Sequence, residues 1–154
     1  MEGIEQYAKQ ASKRSRQGEC DMAQQVKAMV RQISKSASLG TVRENSTYCD
    51  RPEAKGGSNK GPMGGELFLV GLGGCFMSNL LAAVQARNAD VENLSIEIEA
   101  TLEENPPHFS QATLNISGTY SDKALMEKLV TIAERSCIVA NSIKSAVQLT
   151  FNIT

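Results

Sequence analysis

From Leu67 to Ala86 the chain carries no charged residue. A run of this length, about the 20 residues that cross a bilayer, has to be held either in lipid or in a protein interior. Its polar content argues for the interior. Ser78, Asn79 and Gln85 interrupt the run, and Gly71, Gly73 and Gly74 each lower helix propensity by about 1 kcal/mol against alanine. Leu67, Val70, Gly71, Gly74, Met77, Ser78 and Leu81 line one helical face, but apolar residues wrap nearly all round. The expectation is a long buried central helix from Glu66 to about Arg87, with no membrane span. The glycines then serve close packing, between two such helices in a dimer.

The flanking segments carry simpler patterns. Ile96, Ile98, Ala100 and Leu102 alternate with Glu97, Glu99 and Thr101. Asn105-Pro106-Pro107 closes that strand, and Ala112, Leu114, Ile116 and Tyr120 repeat the alternation in a second one. The two read as an antiparallel hairpin. Ser121 reads as the N-cap of a helix holding Leu125, Leu129, Ile132 and Ala133, and Val147, Leu149, Phe151 and Ile153 make a closing strand. Before the long helix, residues 37–48 read as one strand, and CDRPEAKGGSNKGPMGGE as a loop. At the start, Met22, Val26, Met29, Val30 and Ile33 repeat at helical spacing. Ile4, Tyr7, Ala8 and Ala11 give a shorter helix before them, broken at Gln17-Gly18. The fold class is therefore α+β: antiparallel sheet packed on a long buried helix, with a helical N-terminal segment over residues 1–36, all in one domain spanning 1–154.

Charge and cysteine usage exclude several functions. A net charge of −1 and the absence of tryptophan argue against a nucleic-acid partner, and Lys13-Arg14-Ser15-Arg16 reads as a solvated helix face. MEGIEQYAKQ lacks the basic and apolar regions of a secretory signal, so a cytoplasmic setting is expected. Four cysteines at 20, 49, 75 and 137 fit neither a disulfide framework nor a paired zinc motif. No metal and no organic cofactor are expected. In a reducing compartment such cysteines are either structural or redox-active. Cys20 begins the second N-terminal helix and reads as structural, and Cys49 has its thiolate disfavoured by Asp50 beside it. Cys75 lies in a Gly-Gly-Cys-Phe run inside the apolar helix, where a cysteine ordinarily serves as a small hydrophobe. Cys137 follows the amphipathic helix near a turn, where a thiol is reachable and Arg135 favours its thiolate. His108, the only histidine, reads as an exposed loop residue.

Several of these features recur in one order. Gly56-Gly57-Ser58-Asn59-Lys60-Gly61-Pro62 precedes Glu66-Leu67, then Gly73-Gly74-Cys75 on the long helix. The hairpin with its Pro-Pro loop, a helix, Cys137 and a closing strand follow. Over roughly residues 40–154 this arrangement resembles the OsmC/Ohr superfamily, named for osmotically induced proteins and organic hydroperoxide resistance. The resemblance implies an intertwined homodimer with sites at the subunit interface. It also implies a mechanism. Cys75 attacks the O–O bond of a small organic hydroperoxide and becomes a sulfenic acid, and Cys137 captures it as a disulfide. A thiol or lipoyl dithiol then reduces that disulfide.

Family peroxidases place a glutamate ten residues before the first cysteine; here that position is Gly65, with Glu66 next to it. Glu66 carries over as the site carboxylate. For the activating arginine the nearest positions are Arg51 and Arg43, with Arg51 favoured because it precedes the glycine loop. Ile138 stands where a proline usually follows the second cysteine. These departures leave a second reading: a dimer of the same fold that binds a small hydrophobic or thiol-containing ligand without turnover.

Overall fold

The computed structural model describes residues 23–154. The expected helix around Ile4 to Ala11, the break at Gln17-Gly18, the basic run and Cys20 lie outside the described residues. Residues 23–36 are not helical. Met29–Gln32 form a strand, β1, antiparallel to β2 (Ser38–Val42), with Met29 opposite Thr41 and Gln32 opposite Ser38. The reason is burial. Met29 and Val30 stay 65% and 70% exposed, so among the described residues a helical stripe has nothing to pack against, whereas strand pairing satisfies the backbone directly. The single strand expected over 37–48 is a hairpin, β2 and β3 (Asn45–Cys49), with Val42 opposite Asn45. Arg43 turns the corner at φ 56°, a position where glycine or asparagine is the usual sign of a turn.

Residues 50–62 form a loop organised by one carboxylate. Asp50 is buried and accepts hydrogen bonds from the N–H groups of Arg51 (2.8 Å), Ser58 (3.1 Å) and Lys60 (3.1 Å) and from the Ser58 hydroxyl (2.6 Å). These donors, Ser58 foremost, hold its pKa far below the ordinary carboxylate value. A side chain at Gly57 would collide with the Arg51 carbonyl, which explains the second glycine of the pair.

The loop delivers the chain into α1 (Gly64–Ala86), the expected helix within two residues. In the single chain only 33% of its most apolar window is buried, against the expectation of burial all round. Leu72, Gly73, Phe76, Leu80, Ala83 and Val84 face the core, while Val70 and Leu81 remain 65% and 45% exposed. Length and composition alone would let this helix cross a membrane, yet its inner face packs on protein. Gly73 sits where α1 comes nearest the next sheet: a Cβ there would lie 2.7 Å from Ile98 Cδ1.

That sheet holds β4 (Val91–Glu104), β5 (Pro107–Tyr120) and β6 (Gln148–Ile153) in that order. Its register builds three apolar rows: Ile96–Ile116–Ile153, Ile98–Leu114–Phe151 and Ala100–Ala112–Leu149. The opposite face carries Glu97–Asn115–Asn152 and Glu99–Thr113–Thr150, the alternation read from sequence. The β4–β5 pair is the expected antiparallel hairpin, but β6 runs parallel to β5. Between β5 and β6 lie α2 (Lys123–Ser136) and a second short helix, α3 (Ile138–Ile143), so the connection is a crossover, and a crossover returns a strand in the parallel sense. Asp122, one residue beyond Ser121, caps α2 by accepting the Leu125 N–H at 2.9 Å. Met126, Leu129, Val130 and Ala133 of α2 close one core with α1 and the apolar sheet face, and Phe76 stacks on Phe151 at 5.0 Å.

Candidate functional site: a cysteine pair where two helices meet

Cys75 lies midway along α1, half-buried at the edge of the core. Cys137 is the residue between α2 and α3. It terminates the first and caps the second, its sulfur accepting the Ala140 N–H at 3.4 Å. α3 packs against α1, and the two thiols are close enough to shift each other's titration. Exposure runs opposite to the sequence expectation. Cys137 is fully buried, because α3 folds straight back over it, whereas Cys75 of the apolar helix is the partly open thiol.

The electrostatics of the pair are unequal. Burial alone pushes the Cys75 thiol up, but the N–H groups of Val139 and Ile138 and the Cys137 thiol together bring it below its ordinary value. Cys137 is pushed up by burial and by the neighbouring sulfur, against the pull of the Ala140 N–H. Of the two thiols, Cys75 is the one whose surroundings favour the thiolate. Asn79, one turn after Cys75, donates to the Cys75 carbonyl at 2.8 Å, with its amide 3.9 Å from the sulfur. The amide donors of α3 were not legible in Ser-Cys-Ile-Val-Ala, which carries no glycine, proline or polar cap to announce a second helix.

Glu66 and Arg51 are not brought to the pair. Glu66 precedes Cys75 by about two and a half helical turns, which places it on the opposite face of α1. There it accepts the Met63 N–H at 2.7 Å and caps the helix. Arg51 belongs to the loop ahead of α1; its N–H goes to Asp50 and its carbonyl to Asn59, and among the described residues its guanidinium makes no hydrogen bond or ion pair. Arg43 stands at the exposed hairpin turn. Where that glutamate would stand, a Cβ at Gly65 would meet the Phe109 ring at an ordinary contact distance of 3.6 Å, and the ring stacks on Phe68 with centroids 5.9 Å apart. Cys49 ends β3 near Gly64, about three helical turns from Cys75. His108 is exposed, its ring nitrogen 2.7 Å from the Pro106 carbonyl oxygen. Sequence reasoning missed Asp50, whose only signal was an acidic residue immediately before the glycine loop.

Comparison with known proteins agrees with this architecture. No curated protein matches the chain by sequence. An OsmC-like protein from Mycoplasma pneumoniae is similar in structure, with a TM-score of 0.76 at 15% identity over 86% of this chain and 98% of that one. A hypothetical protein from Aquifex aeolicus VF5 gives 0.75 at 16% identity, covering 86% and 96%. An organic hydroperoxide resistance protein from Legionella pneumophila gives 0.64 at 20% identity, covering 85% and 97%. The family model described as OsmC-like protein matches residues 57–152, the stretch that holds the glycine loop, α1 and both cysteines. The chain is a member of the OsmC-like protein family.

Proposed function

We propose that this protein reduces organic hydroperoxides with Cys75 as the attacking thiolate and Cys137 as the resolving thiol. The observation that carries the reading is the opposite bias of two adjacent thiols: the partly open one favours the thiolate, the sealed one keeps its proton. The Cys75 sulfur attacks the outer oxygen of R–O–O–H, the O–O bond breaks, and the alkoxide leaves and takes a proton to become an alcohol. Cys75 is then a sulfenic acid. Cys137 forms the S–S bond, and the hydroxyl departs as water with the Cys137 proton. A dithiol returns the pair to its reduced state, in keeping with a reducing compartment such as the cytoplasm.

The working unit in this reading is a homodimer. Val70 and Leu81 leave an apolar strip along α1 exposed, and among the described residues a Cβ placed at Gly71 or Gly74 meets nothing within 4 Å beyond its own stretch of helix. A second copy of α1 would cover the strip at close range. The test is turnover of cumene hydroperoxide with dithiothreitol or a lipoyl dithiol. Wild type should turn over, Cys75→Ser should not, and Cys137→Ser oxidised without reductant should form no intramolecular disulfide and leave a Cys75 sulfenic acid that dimedone traps. Absence of turnover in wild type above that of free dithiol would sink the reading.

One observation favours a second reading. With Phe109 against Gly65, no carboxylate stands where family peroxidases have one. A protein of this fold that holds an apolar ligand beside Cys75 without turning over hydroperoxide fits that substitution. Stoichiometric binding without loss of thiols would mark it.

A further inference from the structure

The redox pair proposed above must be reopened after each turnover, and its two sulfurs differ in access. Cys137 is 0% exposed, enclosed by the core that Leu129, Ala133 and Ala140 help to form. Cys75 is half-buried. Beside it, away from the strip of α1 assigned above to the second copy, Ile138 at the start of α3 is 75% exposed. The way to the disulfide therefore leads over Cys75.

We propose that the reducing thiol attacks the Cys75 sulfur, so that the mixed disulfide forms on Cys75 and Cys137 is the leaving group. The reductant is a dithiol. One of its thiolates forms a new S–S bond to Cys75 as the Cys75–Cys137 bond breaks. Cys137 leaves as a thiolate, facing the Ala140 N–H that already bonds its sulfur, and takes up a proton. The second thiol of the reductant then attacks its own bound sulfur and closes an intramolecular disulfide, releasing the Cys75 thiolate. Two electrons pass from dithiol to protein; of the two protons given up by the dithiol, one ends on Cys137 and one in solvent.

Leaving-group acidity alone gives the opposite answer. The lower-pKa thiol is the better leaving group, which favours attack on Cys137 and expulsion of Cys75. In this chain access overrides acidity, because a sulfur sealed in the core cannot meet a nucleophile in line with the S–S bond. A consequence is that hydroperoxide and reductant use one opening and exclude each other, giving ping-pong kinetics in which excess reductant competes with the peroxide.

The experiment maps the first adduct. The full chain is oxidised with diamide and, in parallel, with one equivalent of cumene hydroperoxide. It is then pulsed with glutathione, acid-quenched, capped with N-ethylmaleimide and digested with trypsin. Residues 61–87 carry Cys75 alone and residues 136–144 carry Cys137 alone, so each sulfur reports separately. Glutathione should sit on 61–87 and maleimide on 136–144, with an excess of about tenfold or more over the reverse. Equal labelling, or glutathione mainly on 136–144, overturns the proposal, as does failure of diamide to link the two peptides. If diamide links them and hydroperoxide does not, the peroxidase reading falls, while the adduct position still decides the point of attack.

Discussion

Gly73 and Ile98 set how closely α1 approaches the sheet two residues before the reactive cysteine, and their contact can be measured. An alanine at 73 places a methyl 2.7 Å from Ile98 Cδ1, well inside contact distance. Overpacking of this kind costs about 1–3 kcal/mol, against a gain of about 1 kcal/mol in helix propensity, so Gly73→Ala alone should be neutral to about 2 kcal/mol destabilising. Ile98→Val removes Cδ1 and leaves a methyl-sized gap, for a loss of about 0.5–1.5 kcal/mol. In the double variant the new methyl fills that gap and the collision is gone, leaving the propensity gain. The cycle should therefore show a favourable coupling of about 1.5–4.5 kcal/mol, the overpacking and gap costs together. Urea unfolding of the four proteins at one protein concentration reads it directly. Additivity within about 0.5 kcal/mol would refute the reasoning, because it would mean that the helix or Ile98 shifts without resistance and that Gly73 does not fix the approach.

Three further outcomes follow from the geometry. The pH midpoint for alkylation of Cys75 by iodoacetamide should lie below the ordinary 9.0 and should rise in Cys137→Ala, where the neighbouring S–H donor is lost; an unchanged midpoint would remove Cys137 from the activation of Cys75. Asp50→Asn sets an amide N–H against a backbone donor, so the urea midpoint at pH 7 should fall. Because the folded pKa of Asp50 lies below its unfolded value of 3.8, its contribution is complete above that pH and is lost as pH drops further, so the gap to the variant should hold from pH 7 to 5 and narrow below about 4. A charge on the exposed strip of α1, as in Leu81→Glu, should halve the apparent mass in sedimentation while leaving the circular dichroism intact; a wild type that sediments as a monomer would remove the homodimer.

The sequence carried most of what periodicity can carry. Rows such as Ile98–Leu114–Phe151 were legible because alternation over several residues leaves one face apolar. The uncharged run located α1 for the same reason. What escaped was decided by distant partners. Met29 and Val30 fit a helical spacing as well as a strand, and pairing with β2 chose between them. The direction of β6 was set by the helical crossover from β5, which the alternation within β6 does not report. The cysteine pair was legible through family resemblance, but the exposure of each thiol was not, since it depends on how α3 returns over Cys137. Asp50 read as an ordinary loop acid because its donors lie as far as ten residues ahead, at Lys60.

The placement of the pair links reactivity to folding. Cys137 is at once a core residue, the end of α2 and the cap of α3, and the N–H groups that act on Cys75 belong to the first residues of α3. A disulfide to Cys75 would tie the Cys137 sulfur to α1, and the start of α3 is held by that same sulfur through the Ala140 N–H. A short helix of six residues has little stability of its own, so it is the element free to adjust while α1 and α2 stay fixed in the core. The donors that favour the Cys75 thiolate are then in place when the pair is reduced and needed for attack. In the proposed cycle a disulfide that shifted α3 would move those donors away once the thiolate is consumed.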